Sequence, residues 1–399
     1  MLDKSKRILL FTTAFRPFIG GSELAIEEIA KRLSDVSFDI ITPRYTHKLK
    51  KFEDFGNMHI YRVGWGWLVD KFLFPLAGFL RARKLFISQN YLEAEPLSSL
   101  LRGSASKYEI MHAYQASYGG GAAYLFKLFN PAVKFILTLQ EGKDLDRQGF
   151  WIKFFRKIVI RKADHITAIS NYLKDYACKF NKKTKIAVIP NGVDIGNFSR
   201  DFSYGELSLV ADRLGIKPGE KVIISVSRLV PKNGIDILIQ GFHVLNTKYQ
   251  ALNTKLLLTG EGEQKDELVN LTKQLGVFDK VIFAGSISHD ELPKYLKISD
   301  VFVRPSRSEG LGSAFLEAMV ADMPVIGTKI GGITDFLKNR ETGLFCEIEN
   351  PENLAEKINL ILTDKELCEK IIKNAKELVI RNYDWNKIAQ EFRQLYDDI

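Results

Sequence analysis

Cysteine is scarce in this chain: three residues in 399, Cys178, Cys346 and Cys368, far apart and odd in number. That excludes a disulfide framework and a Cys-x-x-Cys metal site, and it fits a reducing cytoplasm. Histidine is nearly as sparse, at six, and no cluster has ligand spacing. No stretch approaches the ~20 consecutive apolar residues of a membrane-spanning helix. The richest, Phe72 to Leu80, is bounded by Asp70 and Lys71 on one side and Arg81 on the other. The opening Lys4-Ser5-Lys6-Arg7 and Ile8 to Phe11 mimic a signal peptide. The apolar run is too short, and Thr12, Thr13 and Arg16 follow without a small-residue cleavage site, so a first strand is expected there. Ser170 has no base at a recognisable spacing, which leaves a serine-hydrolase reading without support. Nucleic-acid binding is disfavoured, because no helix-turn-helix, zinc-finger or aromatic RNA motif is present. Low-complexity tracts and short-period repeats are absent too.

What is present is ordinary globular composition, 46% hydrophobic and 26% charged, at a length that suggests two domains. Charge is unevenly placed. Residues 1–200 carry 32 Lys and Arg against 18 Asp and Glu, a balance of +14, and the remainder carries 25 against 30, a balance of −5. A sign change near the midpoint suggests two domains with different partners. By charge alone, the basic half suits an anionic membrane, nucleic acid or an acidic polymer.

Short β-rich runs alternate with helical periods. In the first half, strands are expected at Arg7–Thr13, Phe38–Pro43, Met58–Val63, Glu109–Ala113, Lys134–Leu139, His165–Ile169 and Lys185–Ile189. Leu24, Ile26, Ile29, Ala30 and Leu33 recur at a helical period. After a turn at Asn191-Gly192, the polar stretch Ile195 to Lys217 reads as a linker. A second series has strands at Lys221–Val226, Lys255–Thr259, Lys280–Ala284, Asp300–Arg304, Pro324–Gly327 and Leu344–Glu347, then two or three helices from Glu352 to Leu395. The pattern predicts α/β architecture with two Rossmann-like, doubly wound parallel sheets. The expected domains are 1–198 and 199–383, with a helix at 384–399 returning to the first. Ligands of such sheets bind outside the carboxyl ends of the strands.

The strongest local signal is Arg304-Pro-Ser-Arg-Ser-Glu309-Gly310-Leu311-Gly312-Ser313, followed by Glu317. A strand ends, a glycine-containing loop follows, and a helix begins near Ser313, which suits an anion such as a diphosphate. A capping box would want an acid three residues after Ser313, where Leu316 stands, so Glu317 is not explained that way. A half-buried carboxylate needs donors, and sugar hydroxyls would supply them.

Glu309 and Glu317 are separated by seven residues, and the surrounding EGLGSAFLEA resembles the E-x7-E element of retaining glycosyltransferases of family 4, which have the GT-B fold. Other pieces resemble that family in the same order. They are Phe18-Ile19-Gly20-Gly21-Ser22, Asn191-Gly192-Val193-Asp194, Ser227-Arg228-Leu229-Val230-Pro231, Gly260-Glu261-Gly262, Ala284-Gly285-Ser286, Gly331-Gly332-Ile333 and Thr342-Gly343-Leu344. The likeness covers nearly the whole chain. It implies two domains facing across a cleft, the first for an acceptor and the second for a UDP- or GDP-sugar.

By motif position, the resemblance implies that Glu317 holds the ribose and Glu309 contacts the donor sugar. The backbone of Gly310, Leu311, Gly312 and Ser313 would meet the sugar or diphosphate. Arg228 would bind phosphate, the Gly20-Gly21 loop would meet the diphosphate, and Gly260 and Ile287 would border the nucleotide. It implies same-face attack, with the departing phosphate assisting deprotonation, and no metal or cofactor. Two departures stand out. Asn233 occupies the position of a frequent lysine, with Lys232 one residue early. Gln140 occupies the position of a frequent histidine, and glutamine orients a hydroxyl but accepts no proton at neutral pH.

Several readings stay open. Asp144-Leu-Asp146 has the form of a metal–diphosphate motif, but any acidic loop produces such a pair, and a solvated loop is the expectation. His112 and His165 fit core positions, and Gly119-Gly120-Gly121 fits a loop lining the acceptor cleft. Phe150 to Lys162, Trp65-Gly-Trp67 and Phe72 to Lys84 interleave aromatic and basic residues. They read either as amphipathic core helices with solvated faces or as segments lying on an anionic membrane. A glycan or polyprenyl-linked acceptor and a cytoplasmic protein, peripheral on the membrane, are the matching expectations. Rival functions are a sugar-nucleotide epimerase and a non-catalytic partner binding sugar nucleotides or glycans.

Overall fold

Ile8, Leu9, Leu10 and Phe11 are all buried, as a parallel strand covered on both faces requires. The computed structural model describes residues 6–18, 20–93, 108–142, 145, 148–249 and 253–399. It divides into two compact units, residues 1–191 with 385–399 and residues 192–384.

The sheet of unit 1 contains β1 (Arg7–Phe11), β2 (Ser37–Pro43), β3 (Phe52–Phe55), β4 (Met58–Val63), β5 (Ile110–Tyr114), β6 (Lys134–Leu139), β7 (His165–Ala168) and β8 (Ile186–Val188). Their order is β3-β4-β2-β1-β5-β6-β7-β8. Every pairing is parallel except β3 with β4. Strand β3 was not expected. It is a short, exposed edge joined to β4 by Gly56-Asn57, a hairpin signal present in the sequence. The helices are α1 (Gly21–Arg32), α2 (Asp70–Glu93), α3 (Tyr118–Phe129), α4 (Phe150–Lys162) and α5 (Asn171–Cys178). The strands stay parallel, but strand order reverses between β1 and β5, with β2 and β4 added on one side and β6 to β8 on the other, which makes that point the ligand position for a sheet of this kind.

Unit 2 begins with α6 (Ile195–Ser199) and α7 (Tyr204–Arg213). It continues through β9 (Lys221–Val226), α8 (Ile235–Lys248), β10 (Thr254–Thr259), α9 (Lys265–Gln274), β11 (Val281–Gly285) and α10 (Leu292–Lys297). It ends with β12 (Val301–Arg304), α11 (Ser313–Val320), β13 (Val325–Thr328), α12 (Ile333–Phe336), β14 (Leu344–Cys346), α13 (Pro351–Thr363) and α14 (Lys365–Asn382). The sheet is wholly parallel, ordered β11-β10-β9-β12-β13-β14, with its reversal between β9 and β12.

The stretch read as a linker is not one. The Asp194 side chain accepts from Asn197 N at 3.0 Å and starts α6, and a Ser203–Glu206 capping box starts α7. The units therefore divide at Asn191/Gly192, ahead of the expected position 198. The last helix, α15 (Trp385–Asp397), lies in unit 1, where Trp385, Ile388, Ala389, Phe392 and Tyr396 join the core beside residues of α1 and β2. Among the described residues, no helix is long and apolar enough to cross a membrane.

Candidate active site

In unit 2 the loops after β9 and β12 emerge at the switch point. Arg228, two residues past β9, is exposed. Asn233 is buried, and its Nδ2 donates to the Arg228 carbonyl at 2.7 Å. That bond braces the loop, while Asn233 Oδ1 is buried without a partner among the described residues. Lys232 is the neighbour aimed at Glu309, with Nζ 3.9 Å from its Oε1. Gly234 then closes the turn at φ +68°, where a Cβ would sit 2.1 Å from the Pro305 carbonyl oxygen. The loops after β9 and β12 therefore touch through backbone, and only glycine permits it.

Glu309 is held on both oxygens. Arg304 Nη2 donates to Oε2 at 2.8 Å, and the Gly310 amide donates to Oε1 at 3.1 Å. Arg304 is itself buried at the end of β12, with Nη1 3.3 Å from the Val226 carbonyl and its guanidinium 4.8 Å from the centre of the Phe315 ring. The next basic residue, Arg307, is engaged elsewhere, pairing with Asp236 at 2.7 Å and with Glu349. Gly310, Leu311 and Gly312 are buried, and Gly312 adopts φ +98° as the residue before α11. No side chain caps that helix start, so the Ser313 and Ala314 amides lie ahead of the first intrahelical bonds. Gly331 and Gly332 pack against the carbonyls of Glu309 and Gly310, where a Cβ would fall within 1.9 and 2.1 Å of oxygen.

Glu317 is buried one turn into α11, and His289 Nε2 lies 3.3 Å from its Oε1. His289 follows β11 by four residues, two beyond the half-buried Ile287. The sequence singled out neither His289 nor Arg304, although Arg304 opens the motif. Gly260, after β10, has φ +116° and a Cβ position 2.0 Å from the Ser227 carbonyl oxygen. Its glycine is explained by loop packing.

Unit 1 carries its own polar cluster at the carboxyl ends of its strands. Gly20 and Gly21 stand exposed at the start of α1. Gln140, past β6, donates from Nε2 to Asn191 Oδ1 at 2.9 Å, and Asn191 Nδ2 reaches the Gly21 carbonyl at 3.4 Å. Gln140 Oε1 is buried without a partner among the described residues. Thr13 donates to Gln115 Oε1 at 2.8 Å beside the β1/β5 reversal. Glu141 accepts from the Ala116 amide at 2.7 Å, and burial pushes its carboxyl above the usual carboxylate range against the pull of Arg156. Asp144 and Asp146 lie outside the described residues. Gly119, Gly120 and Gly121 form the first turn of α3 rather than a loop. His112 is fully buried, with Nδ1 2.8 Å from the Tyr396 hydroxyl and Nε2 2.6 Å from Thr138 Oγ1. No group of three or more His, Cys, Asp or Glu among the described residues could hold a metal ion.

Two family models match the chain, one in each half. Glycosyltransferase Family 4 covers residues 19–197, and Glycosyl transferases group 1 covers residues 210–378. An uncharacterized glycosyltransferase of Methanocaldococcus jannaschii is 28% identical over 98% of this chain and 97% of its own length. The N-acetyl-alpha-D-glucosaminyl L-malate synthase of Bacillus anthracis is 26% identical over 96% and 95%. The alpha-monoglucosyldiacylglycerol synthase of Streptococcus pneumoniae is 25% identical over 80% and 70%. Among solved structures, Anabaena HepE in complex with UDP and glucose superposes with a TM-score of 0.77, at 19% identity over 99% of this chain and 100% of that one. With two doubly wound sheets and both family models matched in order, the chain belongs to glycosyltransferase family 4 and is a glycosyltransferase of the GT-B fold.

Proposed function

We propose that the chain transfers a sugar, with retention and without a metal, from a UDP- or GDP-sugar to a hydroxyl of a glycan or lipid-linked acceptor. The observation that carries this reading is the doubly held Glu309 beside Lys232, the exposed Arg228 and the uncapped start of α11, all at the β9/β12 switch point. Breaking the sugar–phosphate bond gives the sugar oxocarbenium character and sheds negative charge onto the diphosphate. Preorganised cations and amides aimed at that charge are the strongest lever available. Arg228 and Lys232 are the cations, and the backbone from Gly310 to Ser313 supplies the amides. Glu309 orients the sugar hydroxyls, Glu317 takes the ribose, and Gly260 and Ile287 border the nucleotide. In unit 1, Gly20 and Gly21 offer amides to the diphosphate, and Gln140 presents its free Oε1 to a sugar hydroxyl.

The acceptor side is read from the surface of unit 1. Helix α4 packs Val159 and Ile160 inward and leaves its aromatic residues outside. Phe150, Trp151, Ile152, Phe154 and Phe155 are exposed, whereas Arg156 is buried. Trp65, Trp67, Leu68, Phe72 and Leu76 are exposed around the start of α2. Aromatic side chains beside Lys71, Lys153 and Lys157 suit the interface of an anionic bilayer. The lipid product in the name of the pneumococcal relative supports a lipid-linked acceptor, and the glucosaminyl L-malate product in the name of the Bacillus relative keeps a small soluble one in the test.

A panel of UDP- and GDP-sugars, with and without lipid and soluble acceptors, decides the function. Transfer that survives EDTA and retains anomeric configuration is expected. Donor isomerisation without acceptor would mean an epimerase, and binding without turnover a non-catalytic partner. Flotation on phosphatidylglycerol vesicles should occur and should weaken in Trp151→Glu/Phe155→Glu. Equal recovery of both proteins would remove the membrane from the reading.

A further inference from the structure

A buried carboxylate recognises a vicinal diol only if its oxygens are held in place. An unheld carboxyl group rotates about its terminal torsion, which is broad and shallow. Glu317 has such a holder. His289 Nε2 lies 3.3 Å from Oε1, and since a carboxylate only accepts, the imidazole donates. Glu317 Oε2 has no partner among the described residues.

His289 is in turn fixed from outside its own loop. Its ring packs against Phe198 in a T-shaped contact, with centroids 4.9 Å apart, and Phe198 is fully buried. Asn197 Nδ2 donates to the His289 carbonyl at 3.3 Å, and Arg200 Nη2 donates to the Asp290 carbonyl at 2.6 Å. Asn197 and Phe198 belong to α6, the helix started by Asp194, so a separate element clamps the loop after β11. The imidazole keeps about a third of its side-chain surface exposed, so it stands at the surface rather than in the core.

We propose that His289 is a positioning residue for nucleoside recognition. It fixes Glu317 so that the carboxylate meets the 2′ and 3′ hydroxyls of a ribonucleoside diphosphate, and thereby sets the preference of this site for ribose over deoxyribose. The proposal rests on the donor reading above, in which Glu317 faces ribose. A hydrogen bond to a charged group supports an effect on the order of 10-fold in affinity.

The test is calorimetric titration of the full chain with UDP, GDP and their 2′-deoxy counterparts. Wild type should favour the ribonucleotide. His289→Ala should weaken the ribonucleotide about 10-fold and leave the deoxynucleotide within 2-fold. His289→Gln, which can still donate from Nε2, should recover most of the loss. Glu317→Gln should abolish the ribose preference whether or not His289 is present. Equal weakening of both nucleotides in His289→Ala, or no weakening, overturns the proposal and makes the histidine a loop-packing residue. If Glu317→Gln keeps the ribose preference, or if wild type binds neither nucleotide, the donor reading itself fails.

Discussion

Replacing Arg304 with methionine isolates the ion pair under Glu309. The change removes the 2.8 Å bond to Glu309 Oε2, the contact with the Val226 carbonyl, and the guanidinium over Phe315. It keeps most of the apolar volume. Glu309 is left with the Gly310 amide and with Lys232 at 3.9 Å, at 12% side-chain exposure. Breaking a buried pair from one side costs about 3–5 kcal/mol, and the nearby lysine should hold the loss toward the lower figure. In a unit of this size, that corresponds to a fall in Tm of roughly 6–12 °C. If the orphaned charge is the cause, Arg304→Met/Glu309→Gln should regain at least ~1 kcal/mol. The probe must report on unit 2. Trp65, Trp67, Trp151 and Trp385 all lie in unit 1, so intrinsic fluorescence follows the wrong half. Hydrogen exchange of β12 and α11 peptides across a urea series reads the right one. Single and double variants losing the same stability would refute the reasoning and assign the cost to packing around Phe315.

Other outcomes are equally specific. Gly234→Ala places a methyl on the Pro305 carbonyl oxygen at a positive φ, so unit 2 should lose more than ~2 kcal/mol, and a variant with unchanged melting would contradict the loop packing. Lys232→Ala should raise the donor KM at least 10-fold, whereas Asn233→Ala should act mainly on stability; the opposite split of kinetics and melting would return Asn233 to the ligand. Burial pushes His112 from its ordinary 6.5 down to about 3, so only the unfolded chain takes up a proton as pH falls between those values. Its contribution is complete above about pH 6.5 and declines toward pH 3, by about 1.4 kcal/mol per pH unit. His165 is lowered as well, so the readout is the difference in slope between wild type and His112→Asn by tryptophan fluorescence from pH 6 to 4.5. Identical slopes would exclude His112.

Strand positions were legible because parallel strands bury both faces and appear as continuous apolar runs such as Ile8 to Phe11 and Val301 to Val303. The E-x7-E spacing was legible because it lies within one loop and one helix turn. Arg304 and His289 were not, since their meaning depends on contacts across the sequence: one with a carboxylate beyond a tight loop, the other with a helix from a different crossover. The region 195–217 was misread because its two helices are short and polar, and their capping signals at Asp194 and Ser203 were outweighed by composition. Helix α4 shows the limit of periodicity. Its spacing admits a buried aromatic face, yet the structure buries Arg156 through Gln148, near Glu141, and leaves the aromatics outside.

Unit 1 is discontinuous in sequence, and that sets an order of events during synthesis. When residue 191 has left the ribosome, the groove that takes Trp385, Phe392 and Tyr396 is still empty, and His112 lacks its Tyr396 partner. Residues 192–384 are one uninterrupted stretch and can finish folding first. The earlier-made half must therefore wait, partly open, until α15 arrives. Nonsense mutations that remove only α15 should thus strike the half of the protein made first.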